Sequence, residues 1–450
     1  MVVSNLRNRK LAPNLAPMLS FLTPRSMLAT FLIVLLVCLQ FPSPAHAYSV
    51  LTHEEIVDML WNDEIKPLLL ERFPDTTPDE LKMAHAYAYG GSVIQDLGYY
   101  PFGSRDFSDL VHCVRSGDFV AALLDDSQDV NEFAFALGAL AHYAADISGH
   151  PMVNLAVAVE FPKLAAKYKS NQITYAQNKA AHLETEFGFD MLQVAKGRYT
   201  ASGYHDFIGF EVAKPLLERA FREVYGLDLK TILTHEDLTI GSYRHAVSTL
   251  IPGLTRVALV NRKDQIVKET PDFAEKKFLY HLSRADYEKE WGKEYERPGA
   301  GAKILAFFLR LIPKFGPLKA LAFKVPTPKT EDMYFSSVNS TVAIYRGFLQ
   351  QLRAGELKLE NRDFDTGKMT ALAEYPLADQ SYSKLLARIE KQHFSATTPA
   401  LRKNILAFYS APASSIYQQR DGERILHNLD ELKTAALPAA PAATATMSLH

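Results

Sequence analysis

A chain of 450 residues with 48% hydrophobic side chains is long enough to bury a sizeable core. Its 49 lysines and arginines against 51 aspartates and glutamates leave a formal charge of −2, without the basic surplus that nucleic-acid binding draws on. Two cysteines, Cys38 and Cys113, exclude a fold stapled by several disulfides.

The first 47 residues read as an export signal. Arg7, Arg9, Lys10 and Arg25 form a basic leader without an acid, residues 27–41 (MLATFLIVLLVCLQF) are an apolar stretch short for a membrane span, and the segment ends in the small-x-small pattern of PSPAHA. Cleavage after Ala47 makes Tyr48 the first residue of a periplasmic or secreted protein; a retained membrane anchor is the alternative and gives the same sidedness. Removing the leader takes away four basic residues and leaves 45 basic against 51 acidic side chains. Cys38 leaves with it, so the exported chain is held by its core, by metal, or by both.

From Tyr48 onward the pattern is helical. LTHEEIVDMLW carries Thr52 with Glu55 three residues on, the capping-box spacing, which puts His53 in a first helical turn. TTPDELKMAHAYAYGGSVIQDLG starts with Thr77 and Pro78, a cap and a first-turn proline, and ends in glycines near Asp96. FSDLVHCVRSGDF places His112 on a short helix. Residues 130–151 (VNEFAFALGALAHYAADISGHP) are apolar on nearly every side, which marks a central helix. Helical patterns continue over 178–194, 209–224, 240–260 and 265–292. The composition changes at 296–332, which is basic, aromatic and interrupted by Pro313, Pro317, Pro326 and Pro328. Two more helical patterns follow, and an Ala/Pro-rich tail from about Leu437 reads as disordered. The fold class is all-α, with one multi-helical domain over 48–262 and a helical C-terminal extension over 263–436.

Chemistry concentrates in the central helix. His142, Asp146 and His150 are four residues apart, so they drift only about 80° around a helix and share one face. His182 and Glu186 repeat the spacing in AHLETEFGFD. One His or Asp on an apolar helix is more often a satisfied core residue than a ligand, but several on one face need several buried partners at once. A metal ion resolves that demand, and zinc suits nitrogen and carboxylate ligands. For His85, His205, His235, His245, His281, His393 and His427 the structural reading wins.

The ordered set His53, Asp96, His112, His142, Asp146, His150, His182 and Glu186 resembles the zinc-dependent phospholipase C superfamily, which includes the single-strand-specific zinc nucleases. The resemblance covers about residues 48 to 200 and implies a phospholipase C/zinc nuclease-like all-α domain holding up to three zinc ions. It implies one ion on Asp96, His112, His142 and Asp146, and a second on His150, His182 and Glu186. A third would take His53, Asp146 and the main-chain groups of Tyr48, so export processing would create a ligand. Tyr48 stands where the family usually has tryptophan. Asp146 and His150 are four apart where the secreted lipases and nucleases have six, a spacing similar to that of glycosylphosphatidylinositol-specific phospholipase D, which leaves C-type against D-type cleavage open.

The resemblance implies a hydrolase that attacks phosphodiesters with metal-activated water, with Asp96 as the catalytic carboxylate. A phospholipid or membrane surface is the expected substrate, because the mature chain is acidic and because residues 302–324 set Lys303, Arg310, Lys314, Lys319 and Lys324 among Ile, Leu and Phe like an interfacial element. An amphipathic hairpin packed on the first domain explains that segment equally well. Tyr99, Tyr100 and Phe102 are candidates for a head-group pocket or for core packing. No nucleic acid and no obligate protein partner is expected. The alternatives are a zinc nuclease or phosphatase at the same site, and a non-catalytic binding protein stabilised by zinc.

Overall fold

The computed structural model describes residues 50–195, 210–247, 324–410, 412–417 and 420–436. The leader, Tyr48, the helical pattern over 265–292, the interfacial segment up to residue 323 and the tail from residue 437 lie outside them. Among the described residues there are fifteen α-helices, short π and 3-10 turns, and one isolated antiparallel bridge between Arg362 and Met369. The all-α expectation holds.

In chain order the helices are α1 (Val50–Leu60), α2 (Lys66–Arg72), α3 (Pro78–Ser92), α4 (Arg105–Cys113), α5 (Ser116–Asp125), α6 (Val130–Glu160), α7 (Pro162–Tyr168) and α8 (Lys179–Ala195). After them come α9 (Lys214–Tyr225), α10 (Glu236–His245), α11 (Pro328–Arg353), α12 (Pro376–Lys391), α13 (Pro399–Phe408), α14 (Ala413–Tyr417) and α15 (Gly422–Thr434). Ile94–Tyr99 form a 3-10 turn after α3.

Local chemistry explains the helix starts. Thr77 caps α3 in a full capping box: its hydroxyl accepts from Glu80 N–H while Glu80 accepts from Thr77 N–H at 2.8 Å, with Pro78 in the first turn. Asp129 caps α6 by accepting from the N–H groups of Asn131 and Glu132, each at 2.9 Å. Thr52 departs from the expectation. The helix already runs at Val50, so Thr52 lies inside α1, and its hydroxyl donates to Asp190 Oδ1 at 2.6 Å. Asp190 Oδ2 accepts from Leu51 N–H at 3.1 Å, so a carboxylate from α8 satisfies the first turn of α1. Pro328 departs too: the proline-rich change ends by starting a helix, with Pro328 in the first turn of α11 and Thr327 as its cap.

Helix α6 has 31 residues, about 46 Å at 1.5 Å per residue, and is buried along nearly its whole length by α3, α5, α8 and α11. Its closest neighbour is α3. A Cβ on Gly138 of α6 would lie 2.0 Å from Ala88 O, and one on Gly91 of α3 would lie 1.9 Å from Phe135 O, so the two backbones touch. The hydrophobic core runs on into the C-terminal helices, where Tyr334, Val338, Val342 and Tyr345 of α11 join it and Tyr345 donates its hydroxyl to Leu137 O at 2.9 Å.

Pro151 lies inside α6 and has no N–H to give to Ile147 O. The turn around the Arg362–Met369 bridge fills the space beside it. A Cβ at Gly367 would stand 2.5 Å from Ile147 O and 2.9 Å from Pro151 Cγ, and its φ of +70° is also one that glycine adopts freely.

Candidate metal centre

Each of the eight expected side-chain ligands within the described residues is buried, and they come from five places: His53 on α1, Asp96 in the 3-10 turn, His112 on α4, the three residues of α6, and His182 with Glu186 on α8. Because α6 is one continuous helix, His142, Asp146 and His150 do share a face. The α3–α6 contact sets the first imidazole: Ser92 O lies 2.8 Å from His142 Nδ1. Ser108 O stands at the same distance from His112 Nδ1, one turn back on α4. A carbonyl can only accept, so Nδ1 carries the proton in both rings and the Nε2 lone pair is left for the interior.

Asp146 is the hub. His142 Nε2 lies 2.9 Å from Oδ2, His112 Nε2 3.4 Å and His150 Nε2 3.7 Å, while His53 Nε2 lies 3.8 Å from Oδ1. The rings of His53 and His142 stack with centroids 4.5 Å apart. Asp96 Oδ1 is 3.3 Å from His112 Nε2. On α8, His182 Nδ1 is 2.7 Å from Glu186 Oε1 and its Nε2 is 2.9 Å from Asn154 Oδ1. Among the described residues three groups bring ligand atoms within 4.8 Å of one another: His53, His142 and Asp146; Asp96, His112 and His142; and His150, His182 and Glu186.

The donor set fits zinc. Both Asp146 oxygens, His142 Nε2 and both nitrogens of His150 are buried without a hydrogen-bond partner, an arrangement that costs several kcal/mol in an empty protein and that a cation satisfies. Tetrahedral nitrogen and oxygen ligation is zinc chemistry.

Electrostatics divide the centre. Burial works to raise the Asp146 carboxyl, but the surrounding imidazoles of His142 and His112 outweigh it and hold the group well below the usual carboxylate range. Burial works to lower His112 and His142, and the carboxylates of Asp146 and Asp96 outweigh it and push both up. For His150 burial wins and pushes the imidazole well down; the same cause takes His182 down to about 4.

Metal binding needs the neutral imidazole, so a proton competes at His112 and His142 at a higher pH than at His150 and His182. Lowering the pH from about 8 to about 5 should therefore strip zinc from the Asp96–His112–His142 group first. Zinc content after dialysis at each pH is expected to fall in two steps; the reverse order in site-deleted variants contradicts this account.

Sequence reasoning missed the second ring of the site. Asn154 extends the four-residue step of His142, Asp146 and His150 by one more turn, and that signal could have been read. Asp363, Phe364, Asp365 and Tyr375 come from the C-terminal region. Phe364 packs its ring edge-on to His112 at 5.2 Å. Asp363 Oδ1 accepts from Asp365 N–H at 3.0 Å, and burial with the nearby Asp365 charge raises its carboxyl to about 8. The three aromatics after Asp96 separate: Tyr99 lies 6.1 Å from the His112 ring, Tyr100 packs on Tyr243 in the core, and Phe102 is 55% exposed. Cys113 is buried with Sγ 3.9 Å from Asp363 Oδ1, and His85 bonds Asp58 at 2.8 Å under the Trp61 ring, apart from the centre.

The ordered ligands and the all-α scaffold agree with one comparison. Residues 52–233 match the family described as zinc dependent phospholipase C. Over this span the chain is similar to the zinc-dependent phospholipase C family. The family is one of zinc-dependent hydrolases, and the matched span contains all eight of the expected side-chain ligands, Asp146 among them. No curated protein and no solved structure matches the chain. None of the described helices is long and apolar enough to cross a membrane.

Proposed function

We propose that this zinc-dependent phospholipase C relative is an exported phosphodiesterase that hydrolyses the head-group phosphodiester of phospholipids. The observation that carries the reading is Asp146, one carboxylate within 4 Å of the Nε2 atoms of four histidines, with three groups of ligands converging on it. His53 and Asp146 would hold one ion together with the freed main chain of Tyr48. Asp96, His112 and His142, with Asp146, would hold the second, and His150, His182 and Glu186 the third. Zinc ions clustered in this way bind anionic phosphodiester oxygens and bring the pKa of water from about 15.7 toward neutrality.

The chain's own groups do the rest. Asp96, fully buried beside His112 Nε2, would orient the attacking water and take its proton. The apolar wall made by Phe364, Tyr99 and Tyr175 limits bulk water, which strengthens every charge interaction inside. Lys179 Nζ, 4.8 Å over the Tyr175 ring, adds a cation on the α8 side of the centre. Lipid is favoured over nucleic acid by the acidic mature chain and by the basic, aromatic segment 302–324.

The test combines metal content and turnover on protein produced with its leader and checked by N-terminal sequencing. A phosphocholine ester, phosphatidylinositol vesicles and single-stranded DNA are offered side by side. About three zincs with chelator-sensitive lipid turnover are expected. DNA cleavage alone moves the chain to the nuclease reading, zinc without turnover of any substrate moves it to a zinc-stabilised binding protein, and absence of zinc removes the site.

A further inference from the structure

Residues 360–370 lie beyond the span that matches the family, yet they reach the centre. The segment turns tightly: Asp363 N–H donates to Lys368 O at 2.8 Å, Gly367 N–H donates to Asp363 O at 2.8 Å, and the Asp363 carboxylate accepts from Asp365 N–H and, at 2.8 Å, from the Thr366 hydroxyl. It is pinned to the ligand-bearing helices at several points. Phe364 N–H donates to His112 O at 3.1 Å, and Asn154 Nδ2 donates to Asp365 O at 2.8 Å. Gly367 presses on the Ile147–Pro151 turn of α6.

This anchoring delivers one carboxylate. Asp365 is 5% exposed, its Oδ2 accepts from the Tyr375 hydroxyl, and its Oδ1 stands 3.6 Å from His150 Nε2. His150 itself is 2% exposed and has no hydrogen-bond partner at either nitrogen. Its Nε2 sits between Asp365 Oδ1 at 3.6 Å and Asp146 Oδ2 at 3.7 Å, too far from both for a hydrogen bond and at a separation suited to two ligands of one ion. A buried imidazole facing two carboxylates without bonding either is incomplete without a cation. The group His150, His182 and Glu186 offers three side chains where zinc takes four ligands.

We propose that Asp365 is a further metal ligand of this centre, binding through Oδ1 the ion that His150 holds, so that the C-terminal region completes the zinc site. The inference rests on the zinc reading given above, and the experiment separates the two.

Asp365→Asn keeps the shape and the acceptor for Tyr375 and removes the charge. Zinc content is measured on wild type and variant after dialysis against buffered zinc, with far-UV circular dichroism to confirm helix content. The variant is expected to lose one equivalent of zinc or to bind it at least about tenfold more weakly. Asp365→Cys in cobalt-substituted protein provides an independent reading. A thiolate in the coordination sphere adds a charge-transfer band in the near ultraviolet that the wild type, whose Cys113 lies outside the ligand groups, does not show. The proposal is overturned if Asp365→Asn binds as much zinc as tightly as wild type, or if the cobalt-loaded Asp365→Cys protein lacks the band. Wild type without zinc overturns the zinc reading itself.

Discussion

Asp146→Asn should abolish hydrolysis, by about a thousandfold or more, or about 4 kcal/mol of transition-state stabilisation. The substitution is isosteric, so helix α6 and its packing stay intact and the loss is electrostatic. Four imidazoles face the carboxylate, and two ligand groups use it or lie against it. Without its charge, one of the two carboxylates that hold the His112 and His142 imidazoles up is gone, and any ions held beside it would lose a ligand. Zinc content should fall along with activity while the circular dichroism spectrum is retained. Full zinc loading with residual activity above a tenth of wild type contradicts Asp146 as hub.

The second large effect is structural. Gly138→Ala puts a methyl carbon 2.0 Å from Ala88 O and 2.8 Å from Ser92 N, and neither is the yielding end of a side chain. Helices α3 and α6 must separate by more than an ångström, which costs about 3 kcal/mol or more in a well-packed core. The same shift draws Ser92 O away from His142 Nδ1 and frees the ring that it orients. A lower denaturant midpoint and weaker zinc retention are expected together, and an unchanged midpoint refutes the backbone contact.

How much of this is readable in sequence depends on distance along the chain. Spacing of four on an apolar stretch is enough to place His142, Asp146 and His150 on one face, because α6 is a single helix that even Pro151 does not end. The same logic finds His182 and Glu186. Order along the chain carries His53, Asp96 and His112 only through resemblance, since nothing local says that a 3-10 turn and two separate helices converge. Thr52 misleads because its capping partner, Asp190, is 138 residues away and takes over the role that Glu55 plays in the local motif. Asp365 is invisible for the same reason: it meets α6 across 211 residues, in a turn whose Asp and Gly content announces only a turn.

The Thr52 hydroxyl, which donates to Asp190 and lies 3.0 Å from the Tyr334 hydroxyl, has a kinetic consequence. It closes loops of 138 and 282 residues at one point next to His53. At a synthesis rate of about 5–20 residues per second, α1 waits many seconds for its partners to emerge, and contacts of such long range are the slow ones in folding. The first of the described helices is thus among the last to dock. Until the C-terminal half has been made, the centre lacks both its N-terminal histidine and the turn that covers its far side, so metal capture belongs to the final stage of folding.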